Sequence, residues 1–147
     1  MKKIQGSCLC GAIRYQSTSE PARTVACNCR HCQKQDGSTV SISVGVPANA
    51  LKIQGLMPSV YEDIKESGSV VLRSFCPECG SSLFSESESE PNLIFVKAAT
   101  LDDSSWIQPQ IVQDTPRHRQ ISKPVTRHLQ LAQVLEWPSQ EKEWKVS

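Results

Sequence analysis

Cys8-Leu9-Cys10-Gly11, Cys27-Asn28-Cys29-Arg30-His31-Cys32 and Cys76-Pro77-Glu78-Cys79-Gly80 together hold all seven cysteines of a 147-residue chain. Four thiolates close a tetrahedral zinc site, and closed four-ligand sites are structural. Three leave a coordination position open, which is where zinc does chemistry. Seven divides as four plus three. Cys76-x-x-Cys79 has the form of a zinc knuckle, with Gly80 free to take the tight turn that follows it. Cys8-x-Cys10 says less by itself, because i,i+2 side chains on an extended chain share a face but splay apart. Two pairings fit the spacing. One joins Cys8 and Cys10 to Cys76 and Cys79 and leaves Cys27, Cys29 and Cys32 as an open site. The other joins Cys29 and Cys32 to Cys76 and Cys79 as a zinc ribbon, at the cost of stranding Cys8, Cys10 and Cys27.

The length bounds the chain (1–147) to one domain with a single modest core. A formal charge of +1 supplies no global field to steer it onto nucleic acid or an anionic membrane. Apolar runs such as Leu93–Val96 are strand-sized, far short of a membrane span. Met1-Lys2-Lys3-Ile4 has no apolar signal region after it, so a cytoplasmic location is expected. Thiols there stay reduced, which favours zinc over disulfides for clustered cysteines; an odd count points the same way.

The organisation reads as mainly β. In Thr39–Val46 the residues Val40, Ile42, Val44 and Val46 alternate with Thr39, Ser41, Ser43 and Gly45, the period of a half-buried strand. Further strands are expected at Ala12–Gln16, Ser69–Phe75, Ser82–Ser85 and Asn92–Ala99. The acidic run Glu86–Pro91 reads as a solvated hairpin loop. A helical turn is expected from Arg30 to Gln35, ending near Gly37, with its N-terminus favouring thiolates. Ser122 and Pro124, followed by Val125, Leu129, Ala132 and Leu135, predict a short C-terminal helix ended by Trp137-Pro138.

The three motifs, in order, resemble the glutathione-dependent formaldehyde-activating enzyme (GFA) family. Gly6-Ser7-Cys8-Leu9-Cys10-Gly11-Ala12-Ile13-Arg14-Tyr15 is similar to its opening motif, and Cys27–Cys32 followed by Gly37 to its central one. Val46–Leu51, Phe75–Phe84 and Val96–Asp103 resemble later segments, so the likeness runs from about residue 6 to residue 103. It implies a mainly β, tent-like fold stapled by zinc on Cys8, Cys10, Cys76 and Cys79. It also implies a second, catalytic zinc on Cys27, Cys29 and Cys32, a site that in some relatives is weakly bound or missing. The implied activity is that of a carbon–sulfur lyase on an adduct of glutathione, or a related thiol, with a small aldehyde such as formaldehyde. Relatives carry a tryptophan-bearing segment after the Leu-Asp-Asp turn; this chain has no tryptophan between Trp106 and Trp137.

The residues also bound the chemistry. A thiol ionised beside zinc can attack an aldehyde carbonyl or leave in the reverse direction. Three cysteine ligands make zinc electron-rich, which suits exchange of sulfur ligands better than generation of hydroxide. Glutathione carries two carboxylates, and Arg30, Lys34 and Arg73 are candidates to bind them, against the simpler reading of solvated surface charge. His31 is expected to point outward, the alternatives being a fourth ligand or a proton shuttle. His118 and His128 receive no role, and Trp106, Trp137 and Trp144 read as packing residues. Two other classes of function compete. One is a zinc-stapled binding module, to which Arg117, Arg119, Lys123 and Arg127 would lend a basic cluster. The other is a sensor in which Cys27, Cys29 and Cys32 release zinc on oxidation.

Overall fold

A computed structural model describes residues 3–108 and 111–113. The expected C-terminal helix, the basic cluster, His118, His128, Trp137 and Trp144 lie outside them. Among the described residues ten strands and one α-helix run in the order β1 (Ile4–Ser7), β2 (Ile13–Ser17), β3 (Arg23–Cys27), α1 (Arg30–Asp36), β4 (Ser41–Pro47), β5 (Leu51–Gly55), β6 (Ser59–Ile64), β7 (Val70–Phe75), β8 (Ser82–Ser87), β9 (Leu93–Lys97) and β10 (Ile111–Gln113). Single 3₁₀ turns, Ala48–Ala50 and Ala98–Thr100, follow β4 and β9. The mainly β expectation is met. The strands form a three-stranded sheet in the order β1-β2-β5 and a seven-stranded one in the order β10-β3-β4-β9-β8-β7-β6. Every pairing is antiparallel except β10 with β3.

The large sheet has two buried faces of opposite character. Val44, Val46, Phe84, Ile94 and Val96 pack with Ile4, Ile13 and Tyr15 of the small sheet in one apolar core. Tyr15 meets Phe84 edge-on, with ring centroids 5.1 Å apart. Strand β4 was expected to be half-buried, with its serines toward solvent. Ser41 and Ser43 are instead buried, while Val40 is 40% exposed and lies before the strand. The period of two is present, but it separates an apolar interior from a polar one, because β4 sits in mid-sheet between β3 and β9. Strands β1, β3, β5, β6 and β10 were not singled out by pattern. All but β6 have five residues or fewer, and β5 and β6 are mostly exposed, so no alternation marks those two. The Glu86–Pro91 run is only partly loop: β8 continues to Ser87, and Glu90 pairs with Arg23.

Gly6 fixes how β1 meets the rest of the fold. It pairs with Tyr15 and bridges to Leu101, and a Cβ there would overlap the Thr100 carbonyl oxygen and the Tyr15 hydroxyl. That hydroxyl bonds Thr100 Oγ1 at 2.7 Å. Gly6→Ala is therefore expected to destabilise the domain by about 1–3 kcal/mol through overpacking. Chemical denaturation checks this, and an unchanged midpoint would show that β1 can shift freely.

Candidate metal centres and active site

The turn between β1 and β2 carries Cys8 and Cys10, and the turn between β7 and β8 carries Cys76 and Cys79. Each is shaped by a left-handed glycine, Gly11 at φ 76° and Gly80 at φ 73°. The Gly11 N–H donates to Cys8 O at 3.0 Å, and the Gly80 N–H to Cys76 O at 2.9 Å. The four Sγ atoms lie within 4.8 Å of one another, with Cys8–Cys10 at 3.4 Å and Cys10–Cys76 at 3.8 Å. Metal–sulfur bonds of about 2.3 Å give a tetrahedron with edges of about 3.8 Å, whereas a disulfide needs about 2.05 Å. The donor set fits a closed four-thiolate metal site. Ionisation within it is uneven: the Cys79 thiol is drawn down to about 5, first by the Ser81 hydroxyl. The Ala12 N–H favours charge on Cys10, yet Cys8, desolvation, Cys79 and Cys76 together outweigh it and Cys10 is pushed up to about 12. A cation is what would let all four ionise together.

Cys27, Cys29 and Cys32 form the second cluster, their Sγ atoms again within 4.8 Å. Cys27 ends β3, Cys29 caps α1 by accepting the Cys32 N–H at 3.5 Å, and Gly37 at φ 62° ends that helix. Hydrogen bonds from Cys27 and Cys32, aided by the charge of Arg73, hold the Cys29 thiol far below its usual range. Cys27 is pushed up, first by Cys29 and Cys32. Three thiols that oppose one another's ionisation also fit a cation.

This cluster opens onto the polar face of the large sheet. Register brings Cys27 opposite Ser41, Val25 opposite Ser43, Ser43 opposite Lys97, and Arg73 opposite Ser85. Together they line a cavity of about 150 Å³ that includes Cys27 and Cys32. Arg73 and Lys97 are each only 5% exposed. Arg73 Nε donates to Asp63 Oδ2 at 2.7 Å, and its Nη1 lies 4.0 Å from Cys32 Sγ. Lys97 Nζ reaches Asp36 and Ser41 Oγ, each at 3.0 Å. Burial opposes charge on Asp63, but its bonds from Arg73 and His31 outweigh this and keep the carboxyl below its ordinary range.

The sequence profile described as glutathione-dependent formaldehyde-activating enzyme matches residues 3–115. The chain belongs to the GFA family. Similar curated proteins come from Podospora anserina (31% identical, covering 70% of this chain and 50% of the relative) and Penicillium rubens (32% identical, 70% and 56%). Both are named "putative glutathione-dependent formaldehyde-activating enzyme". This GFA chain thus spans about half the length of the curated relatives it matches. A crystal structure of a Rhodobacter sphaeroides protein shares the fold, with TM-score 0.56 at 19% identity, covering 76% of this chain and all of that one. No helix among the described residues is long and apolar enough to cross a membrane.

Within this GFA fold the candidate residues scatter in an instructive way. All seven cysteines fall into the two clusters. Arg30 and Lys34 are exposed on α1 and border a different cavity, of about 460 Å³. Arg73, read as surface charge in the simpler view, is buried and bound to Asp63. His31 was expected to point outward without a role; its Nδ1 lies 2.7 Å from Asp63 Oδ1 instead. Lys97, Asp36 and Asp63 were missed. A lysine closing the apolar run Leu93–Val96 was the one available signal for Lys97, since a cation ending a buried strand needs a partner.

Proposed function

We propose that the chain is a zinc-dependent carbon–sulfur lyase acting on the adduct of glutathione, or a related thiol, with a small aldehyde such as formaldehyde. In this reading it is a single cytoplasmic domain. Cys8, Cys10, Cys76 and Cys79 hold structural zinc, and Cys27, Cys29 and Cys32 hold the catalytic one. The observation that carries the reading is the placement of the three-thiol cluster at a cavity that also holds two buried cations, Arg73 and Lys97. Membership of a family described as glutathione-dependent supports the choice of thiol.

Zinc on those three cysteines would supply Lewis acidity at an open position. The chain's own residues do the remainder. Arg73 and Lys97 place positive charge beside Cys32, where sulfur becomes anionic during the reaction, and their partners Asp63 and Asp36 hold them there. In cleavage the adduct hydroxyl loses its proton, its C–O bond becomes the carbonyl, and the C–S bonding pair leaves on sulfur. Condensation is the reverse. Ser41 Oγ, on the rung opposite Cys27 and bonded to Lys97 Nζ, offers a hydroxyl for the proton exchange.

The test is zinc per chain together with adduct cleavage, in wild type beside Cys29→Ala. Two zinc falling to one, with the fold kept and cleavage lost by about a thousandfold or more, is expected for a Lewis acid worth several kcal/mol. Unchanged cleavage in Cys29→Ala would sink the reading. Loss of zinc with reactive thiols under mild peroxide, and no cleavage in wild type, would point to a sensor instead.

A further inference from the structure

Helix α1 has no apolar face. Arg30, His31, Gln33, Lys34, Gln35 and Asp36 surround Cys32, and only Gln33 is buried. A helix of seven residues is not stable alone and is ordinarily held by a packed apolar stripe. This one carries Cys29 at its cap and Cys32 in its first turn, two of the three thiols of the second cluster. What keeps those thiols beside Cys27 at the end of β3 is therefore polar.

Asp63 supplies the tie. It lies on the edge strand β6 and is the one buried residue there, while Val60, Tyr61, Glu62 and Ile64 around it are exposed. Its Oδ1 faces α1, with His31 Nδ1 at 2.7 Å. Its Oδ2 accepts from Arg73 Nε at 2.7 Å and lies 2.6 Å from Arg73 Nη2. Arg73 Nη1 reaches back to α1, donating to Gln35 Oε1 and standing 4.0 Å from Cys32 Sγ. One carboxylate thus fastens the helix at His31 directly and at Gln35, one turn on, through Arg73. Lys97 and Ser82 hold Asp36 at the other end of the helix. Asp63 is not one of the clustered donors, so its influence on a metal passes through these bonds. A buried carboxylate–guanidinium pair adds little stability over apolar residues of similar volume. Stability alone does not account for one on an otherwise exposed strand.

We propose that Asp63 is the positioning residue of the three-thiol metal centre: through His31 and Arg73 it docks α1 and sets Cys29 and Cys32 against Cys27. The inference rests on the reading of that cluster as a metal site and is independent of the reaction the metal serves. Cutting the tie leaves all three thiols in place along the chain but frees two of them from the third, so a metal is held less tightly. Hydrogen-bonded partners that orient metal ligands are commonly worth about ten- to a hundredfold in metal affinity.

Withdrawal of zinc from the zinc-loaded full chain by a graded chromophoric chelator tests this, with the melting midpoint read beside it. Cys29→Ala identifies the withdrawal step that belongs to the three-thiol centre. His31→Ala should weaken zinc at that step by about ten- to a hundredfold and leave the four-thiol step in place. Asp63→Leu with Arg73→Met should weaken the same step although its melting midpoint stays near that of wild type. This double replacement removes one negative and one positive charge, so net charge explains none of its effect. Adding His31→Ala to it should weaken zinc little further, since both cut one tie. The His31 side chain is 35% exposed, so its variant keeps the fold and decides the matter should the double replacement melt low. Zinc held as in wild type by His31→Ala or by a stable double replacement, or weakened equally at both steps, would overturn the positioning role. A wild type with no step sensitive to Cys29→Ala would sink the metal reading and this inference with it. A step that is present but indifferent to His31→Ala sinks the inference alone.

Discussion

Cys76→Ser is expected to unfold the domain at ordinary temperature, or to lower its melting midpoint by tens of degrees. Cys76 is fully buried in the core that joins the two sheets, and its thiol lies 3.8 Å from Cys10 in the four-thiol cluster. A hydroxyl there cannot replace a thiolate ligand, and it is buried without the cation that would satisfy it. Structural metal binding in small domains is worth on the order of 10 kcal/mol, comparable with the whole stability of a domain this size, about 5–15 kcal/mol. Strong chelation of wild type should have a similar effect. A thermal melt read beside metal content decides it: a variant that loses metal yet melts with wild type would show that the sheets cohere without the staple. Cys29→Ala is the contrasting case, since its cluster lies on the polar face and crosses no sheet-to-sheet junction.

Asp63→Ala is expected to cost about 3–5 kcal/mol, the usual penalty for removing one partner of a buried ion pair. The Arg73 side chain is 6% exposed and that of Asp63 10%, so the stranded guanidinium could not recover its hydration. Replacing both residues, Asp63→Leu with Arg73→Met, should restore most of the loss, because the main cost is the unpaired charge rather than the missing bond. A double-mutant cycle measures this directly, and two simply additive losses would contradict it. The same pair sets a pH window. Asp63 titrates below its ordinary value near 3.8 when folded, so its contribution is complete above that value and is lost as pH falls through the lowered one. Asp63→Asn should flatten the acid arm of the stability curve and leave the neutral region parallel to wild type.

Much of this architecture was legible in the sequence, for identifiable reasons. Local signals survive folding: Gly80 after Cys79, Gly37 after α1, and the valines of β4 are each determined by neighbours a few residues away. Strands such as Val70–Phe75 and Leu93–Lys97 lie within a residue or two of their expected limits. For Lys97 the apolar run before it was the one signal, and Asp63 escaped notice because nothing beside it in sequence announces burial. Their partners, Asp36 and Arg73, arrive from α1 and from the next strand. The same holds for His31, whose exposure was judged from its place between two cysteines, not from the edge strand β6 that brings Asp63 to it.

By itself the sequence determined the inventory: seven thiols in three groups, a β-rich chain, and a short capped helix in the middle motif. Each of these depends on residue type and near spacing. Only the tertiary structure decided which thiols meet. Both pairings of the cysteine motifs satisfied local stereochemistry, and the choice was made by packing the small sheet onto the apolar face of the large one. That packing carries the Cys8–Cys10 turn to Cys76 and Cys79 and leaves Cys27, Cys29 and Cys32 to themselves. It also decided the meaning of the alternation in β4. A period of two records that two faces differ, but whether the polar face meets water or a cavity with buried cations depends on strands far away in sequence.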